Sequence, residues 1–372
     1  MIFSDYQYVP TIRTRSSELL AVKNLLDDSK SKILPFVDLS KVGRGTNAHA
    51  ACEKWYDSFN GPAILGLANN TRLQVDEYHF LISPDDGFKN WKDFFYKQKK
   101  INENLIPSLI FTAEIGKREF VKQLQDFEAT FKIVALKINP LFRRDVAAAI
   151  TAASVIKSTR NIIFILDTGQ ISREHQKAAL DSTIHALNEL RSIDSSIEIV
   201  ATSTSFPRMF QSYTLNGSDS YGEIPMLEWE NYHALGGKSV AIYGDYASIH
   251  GEFYEGSYAK FVARIDYPTP ATWIFERRKQ PDLNEQREHL YSLAAKSLLT
   301  SESWDNSLDV WGSTIIRKAA NGDLQKFGSP GKWISVRMNL HMERIVRFLD
   351  SGISIPAYSP QGNWEDAWEE EI

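Results

Sequence analysis

Short runs of β-branched and aromatic residues recur along this chain, and each ends in polar residues before a helical stretch begins. Eight such runs can be read, at 33–38, 62–68, 108–114, 132–139, 161–167, 197–204, 239–245 and 260–267. They are nearly continuous hydrophobics, as in Ile162-Ile163-Phe164-Ile165-Leu166. A strand covered on both faces reads this way, because neither set of side chains meets water. Helical stretches separate the runs, at 47–59, 86–100, 117–131, 145–159, 173–193 and 226–235. Strand–helix alternation implies parallel βαβ units, and eight strands predict closure into an α/β fold of the (β/α)8 TIM-barrel type. The alternative is an open doubly wound sheet. No run is followed by a G-x-G-x-x-G turn, so that fold lacks its dinucleotide-binding signature.

The pattern changes after Tyr267. Pro268-Thr269-Pro270 interrupts the chain, and 272–277 can form one more strand, making a hairpin at the end of the barrel. Helical stretches follow near 283–299, 311–320 and 336–349. The organisation expected is a barrel over 1–280, a helical extension packed on it over 281–350, and an acidic tail over 351–372 that carries Trp364 and Trp368. Those two tryptophans are four apart and would share one helical face, which suits docking as well as a frayed end.

Charge narrows the partners. The net charge is -5, and the basic runs, Lys97-Gln98-Lys99-Lys100 and Glu276-Arg277-Arg278-Lys279, are short. Direct nucleic-acid binding is therefore not expected. The longest apolar-rich run, 146–156, is about half a membrane span. Cys52 is the only cysteine, so an intramolecular disulfide is excluded and a reducing, cytoplasmic setting is expected. It lies in a helix-like stretch and reads as a small packed side chain. The N-terminus lacks the apolar core of a signal peptide.

In a barrel of this type the functional residues stand at the C-terminal ends of the strands. The polar run ends are Asp38, Asn69, Glu114, Lys137, Asn139, Asp167, Thr202, Ser205, Asp245 and Asp266. Lys137 and Asp167 end consecutive runs and are expected to be neighbours. Two readings stay open: a buried ion pair that sets the barrel mouth, or a cation beside a carboxylate that binds an anion or tunes a proton transfer. Asp245 is expected to face the same space from the far side, which makes Lys137, Asp167 and Asp245 the candidate catalytic groups.

Asp38, Glu114, Asp167 and Asp245 come from four runs and could converge on Mg²⁺, which prefers oxygen ligands. They could equally pair with Lys41, Lys137 or Arg277. The eight histidines are scattered and give no zinc spacing; His175 and His185 are ten apart. The loop Lys41-Val42-Gly43-Arg44-Gly45-Thr46 has glycines and cations ahead of a helix and could receive a phosphate, but it is not a P-loop. Ser203, Ser205 and His250 are not set in a G-x-S-x-G elbow, so a serine hydrolase is not indicated.

Several stretches together resemble the beta protein family of phages and bacterial mobile elements. They are Tyr8-Val9-Pro10 with Glu18-Leu19-Leu20-Ala21-Val22, Pro35-Phe36-Val37-Asp38, and Thr204-Ser205-Phe206-Pro207 paired with Leu227-Glu228-Trp229. Gly244-Asp245-Tyr246-Ala247, Trp273 with Arg277, and Lys332-Trp333 followed by Asn339 and His341 complete the set, from about residue 8 to about 350. Relatives often carry paired histidines near the end; here Leu340 precedes His341, which argues for a structural contact there. The resemblance adds Ser205, Glu228, Tyr246 and Arg277 to Asp38 and Lys41 as candidate ligand-binding residues. It supplies no activity, since barrels host unrelated functions.

Two functions compete. One is a hydrolase- or lyase-like enzyme acting on a small anionic ligand at the barrel mouth, with or without a metal. The other is a non-enzymatic protein of phage–host conflict that binds a protein partner through the helical extension and acidic tail.

Overall fold

The computed structural model describes residues 3–42, 46–112, 114–215, 220–253, 261–280, 286–324 and 326–352. The tail with Trp364 and Trp368, and Gly43-Arg44-Gly45 of the glycine loop, lie outside the described residues.

In chain order the strands are β1 (Tyr8–Arg13), β2 (Phe36–Leu39), β3 (Ala63–Leu67), β4 (Leu105–Pro107), β5 (Val134–Ile138), β6 (Ile162–Gln170), β7 (Glu198–Thr204), β8 (Tyr221–Pro225), β9 (Ile242–Asp245), β10 (Val262–Pro268) and β11 (Thr272–Lys279). The helices are α1 (Ser16–Lys23), α2 (Asp27–Lys32), α3 (Ala48–Tyr56), α4 (Tyr78–Leu81), α5 (Asp85–Lys99), α6 (Lys117–Phe131), α7 (Arg143–Val155), α8 (Gln176–Ile193), α9 (Leu227–Leu235), α10 (Arg287–Leu299), α11 (Trp311–Ala320) and α12 (Pro330–Ser351).

Eight parallel strands lie in the order β4-β3-β2-β1-β9-β7-β6-β5. The seam between β4 and β5 is drawn together by a parallel bridge from Ser108 to Ala135 and by Leu109 N donating to Ala135 O at 2.8 Å. The sheet is thus a barrel, as the alternation of runs and helices implies.

Its membership differs from the sequence reading at one strand, and the run at 108–114 is displaced: the strand there is β4, Leu105–Pro107, with only Ser108 of that run forming a bridge, so Glu114 stands in the loop beyond the strand rather than at its end. The run at 260–267 is not a barrel strand. It belongs to β10, which pairs antiparallel with β11, and β11 pairs antiparallel with β8. The cause is the connection: only Thr269, Pro270 and Ala271 join β10 to β11, and a parallel crossover needs a dozen or more residues. The missing barrel member is β1. Pro10 stands in its middle and removes a ladder donor, which disguises a strand in sequence.

The pleat sorts side chains into two cores. Val9, Phe36, Ile64, Ile106, Ala135, Ile163, Ile165 and Val200 fill the barrel. Their neighbours Tyr8, Val37, Leu65, Leu136, Phe164, Leu166 and Ile199 face outward onto the surrounding helices, where Trp55, Trp91 and Phe127 are fully buried. A third core lies between the small sheet and the last helices, built from Ile265, Tyr267, Ile274, Tyr291, Leu298, Ile316 and Leu340.

Helix α12 joins these units. Met338, Met342, Ile345 and Val346 pack into the barrel's outer layer, whereas Trp333, Val336 and Leu340 pack into the third core. Gly312 lets α11 approach it: a Cβ there would stand 2.6 Å from Leu340 Cγ and 3.0 Å from Val336 O, closer than side chains tolerate. No helix among the described residues is long and apolar enough to cross a membrane.

Candidate functional site

The same alternation aims the charged strand ends. Phe36 and Ala135 point into the barrel, so Asp38 and Lys137, two residues on, point inward as well; Asp167 follows Ile165 in the same way. Arg13 follows Val9 and sits beside Asp38 in register. These four side chains line an open cavity of about 670 Å³ at the C-terminal end of the strands, with Asn69, Glu114 and Tyr246.

Lys137 does not pair with Asp167. Its Nζ stands 3.3 Å and 3.4 Å from the two carboxylate oxygens of Asp38, and lies over the Phe36 ring at 3.9 Å from the centroid. Register explains the choice. Lys137 lies beside Ile165, so Asp167 sits two residues further along its strand toward the opening. The pair is partly open to water, with side-chain exposures of 25% for Lys137 and 14% for Asp38.

Asp167 is buried in the wall of the cavity. Its Oδ2 accepts from the Tyr246 hydroxyl at 2.7 Å, and its Oδ1 accepts from Gly169 N at 2.9 Å. Burial raises its pKa above the usual carboxylate range. Lys137, Tyr246 and Gly169 oppose the rise without cancelling it. Burial and the neighbouring Asp167 push the Tyr246 hydroxyl well up, so Tyr246 stays a donor.

Asp245 is turned away from this cavity. Gly244 takes the inward position, where a Cβ would stand 2.2 Å from Thr202 Oγ1, and Asp245 faces out. The carboxylate is fully buried. It accepts from the Tyr8 hydroxyl, from Tyr243 OH at 3.0 Å, from Ala247 N at 2.7 Å and from His341 Nε2 of α12 at 2.6 Å. Trp273 Nε1 donates to His341 Nδ1 at 3.3 Å, which leaves Nε2 to carry the hydrogen that Asp245 accepts. Burial would raise the Asp245 pKa; the adjacent His341 and the hydrogen bonds from His341, Tyr8 and Ala247 outweigh it and hold the group below the usual range.

The remaining candidates are dispersed. Ser205, just after β7, and Glu228, in the first turn of α9, are buried together. The Ser205 hydroxyl reaches Pro225 O at 3.0 Å and also contacts Glu228, while Leu227 N donates to Ser205 Oγ at 3.0 Å. Burial raises the Glu228 carboxyl to about 8. The Ser205 hydroxyl, which donates to Glu228, opposes that rise without cancelling it. Lys41 pairs with Asp76 at 3.0 Å on the surface. Arg277 lies on β11, beside Arg264 of β10 in register.

No three His, Cys, Asp or Glu side chains gather as metal ligands among the described residues. Asp38, Glu114, Asp167 and Asp245 do not form the donor set that Mg²⁺ requires, since Asp38 is engaged by Lys137 and Asp245 faces the other layer.

A second opening adjoins the mouth. A groove of about 1000 Å³ runs between the rim and α12, lined by Arg13, Arg15, Phe206, Phe210, Arg264 and Arg337 among others. Arg13 lines both spaces; its Nη2 donates to Gly251 O at 2.6 Å and to His250 O at 3.3 Å. Sequence reading passed over these arginines. Arg13 was hidden with β1, Arg264 lies inside a strand rather than at its end, and Arg337 lies inside a helical stretch, away from the strand ends. The available signal for Arg337 was its setting among apolar neighbours in α12.

The sequence model of the family described as Beta protein matches residues 8–347. The chain is also 33% identical over 350 residues to Protein beta of Enterobacteria phage P4, covering 94% of this chain and 95% of that protein. By both comparisons, the chain belongs to the Beta protein family.

Proposed function

We propose that the barrel mouth binds a small anionic ligand and carries out proton-transfer chemistry on it, as a hydrolase- or lyase-like enzyme. The observation that carries the reading is the meeting of Asp38, Lys137 and Asp167, from three different strands, in one open cavity with Tyr246. A barrel needs no charge there for stability, and buried charge is costly unless it is paired or used.

The roles follow from the environments. Asp167 has its pKa raised by burial, which brings a carboxyl closer to the working range of a general acid or base. Tyr246 orients it. Lys137, held by Asp38 at the edge of water, offers a positive charge to a developing anion. The donor set does not favour a metal-assisted version. Cys52, buried and free, supports a reducing, cytoplasmic setting.

The test is a thermal-shift screen of small carboxylates, phosphorylated sugars and nucleotides on the full chain. The reading expects at least one compound that raises the melting temperature of the wild type and fails to raise that of Lys137→Met. A screen with no stabilising anion, or one whose stabilisation survives Lys137→Met unchanged, overturns it and favours a protein-binding role.

A further inference from the structure

We infer that the groove between the barrel rim and α12 is a binding subsite for the phosphate group of a phosphorylated small molecule. This deepens the reading of the mouth and rests on it only for where the rest of the ligand lies.

The groove is built around a charge imbalance. On β10, Arg264 and Asp266 are two residues apart and so share a face. Arg264 Nε stands 3.0 Å from Asp266 Oδ1 and 3.1 Å from Oδ2. From α12, Arg337 Nη1 reaches the same carboxylate at 2.7 Å. Two guanidinium groups therefore share one carboxylate, leaving one positive charge in excess. Arg337 and Asp266 are nearly sealed, at 5% and 4% side-chain exposure, and Arg264 is at 25%. Burial pulls the Arg337 guanidinium down to about 10 and lowers that of Arg264, despite Asp266.

The donors left over point to an oxyanion. Arg337 Nε is taken by Ser248 Oγ at 3.3 Å. Among the described residues, Arg337 Nη2 and both terminal nitrogens of Arg264 have no protein acceptor, and both side chains line the groove. Aromatic faces fix the two planes: Arg337 lies over Phe206 at 3.9 Å and Arg264 over Phe210 at 3.5 Å. Planar guanidinium forks held in place match the oxygens of a phosphate by paired, charge-assisted hydrogen bonds. Arg13 adds a third cation where the groove meets the mouth. A groove of about 1000 Å³ is far larger than a free phosphate and fits a small molecule that bears one.

The experiment uses the full chain and inorganic phosphate as the probe, in a buffer free of other oxyanions. Phosphate should raise the melting temperature in a saturable way, while sodium chloride at matched ionic strength should not. Arg264→Gln should weaken the apparent phosphate affinity about tenfold or more, the loss of at least one charge-assisted hydrogen-bonded pair. Arg264→Lys keeps a cation beside Asp266, so it decides the matter should the glutamine variant fail to fold; it loses the fork and should also bind more weakly. Lys137→Met, which disables the mouth, should leave phosphate affinity intact, so failure of the mouth reading is separable from failure of this one. No phosphate-specific shift, wild-type affinity in a folded Arg264→Lys protein, or loss of binding in Lys137→Met alone would each overturn the groove assignment.

Discussion

His341 of the last helix places its Nε2 2.6 Å from Oδ2 of Asp245, at the end of the ninth strand. The contact ties the helical unit to the barrel at a point with no access to water: the two side chains are 0% and 1% exposed. Tyr8 from the neighbouring strand β1 and Tyr243 from the same strand as Asp245 complete the enclosure. Asp245 therefore belongs to the architecture and Asp167 to the opening, although both stand near the C-terminal ends of their strands.

This arrangement predicts a large stability effect with no chemistry in it. His341→Leu removes one of the donors to a buried carboxylate and leaves the charge under-compensated. The expected cost is about 3–5 kcal/mol, or a fall of about 10 °C in Tm. Asp245→Asn should be comparably damaging, since an amide cannot accept from all the same donors. Chemical and thermal denaturation check both. Near wild-type melting in either variant would contradict the buried-hub reading.

Stability should also depend on pH in an unusual direction. Glu228 is raised by burial to about 8, and Glu18, likewise buried although Arg13 and Arg15 oppose the shift, to about 7. Both have an ordinary value of 4.5. Between pH 4.5 and about 8 the unfolded chain has released these protons while the folded chain still holds them. Their contribution is thus fully present below pH 4.5 and is lost as pH rises through 7 and 8. The wild type should melt higher at pH 6 than at pH 8.5. Glu228→Gln, which keeps a neutral donor near Ser205, should flatten that difference; an unchanged slope would show that Glu228 is ionised throughout.

Cys52 gives a simpler check. It is fully buried, and burial pushes its thiol to about 12. A thiol-specific reagent should leave the native protein unmodified at pH 8 and label one site in denaturant. Rapid labelling of the native state would refute the packed reading of this residue.

Most of the barrel was legible in sequence because strands covered on both faces read as unbroken apolar runs. The errors have local causes. Pro10 broke the appearance of the first strand, and the β10–β11 hairpin imitated a barrel strand because its buried face carries the same residue types. For the site, strand-end position identified Asp38, Lys137 and Asp167, but not which way a strand end faces. Two-residue alternation supplies that: Gly244 takes the inward position, so Asp245 must face out. The partnership of Lys137 with Asp38 could not be read, since it crosses the barrel between strands far apart in the chain. Arg264 and Arg337 meet only because α12 folds back onto β10, a contact 71 residues apart for Arg337 and Asp266.

Asp167 and Lys137 serve a ligand site at the mouth and not the scaffold of the barrel. The raised pKa of Asp167 means that the fold disfavours its charged form, so the neutral isostere should lose little. Lys137→Met leaves Asp38 with partial access to water, which limits its cost. The most direct measurement is the unfolding free energy of Asp167→Asn and Lys137→Met, each made singly, beside their binding of the organic anion, free phosphate excluded, that most stabilises the wild type. Both variants should keep stability within about 1–2 kcal/mol of the wild type, with binding abolished or sharply weakened. A loss of about 3–5 kcal/mol in either variant would assign these residues to the architecture of the barrel and contradict the account.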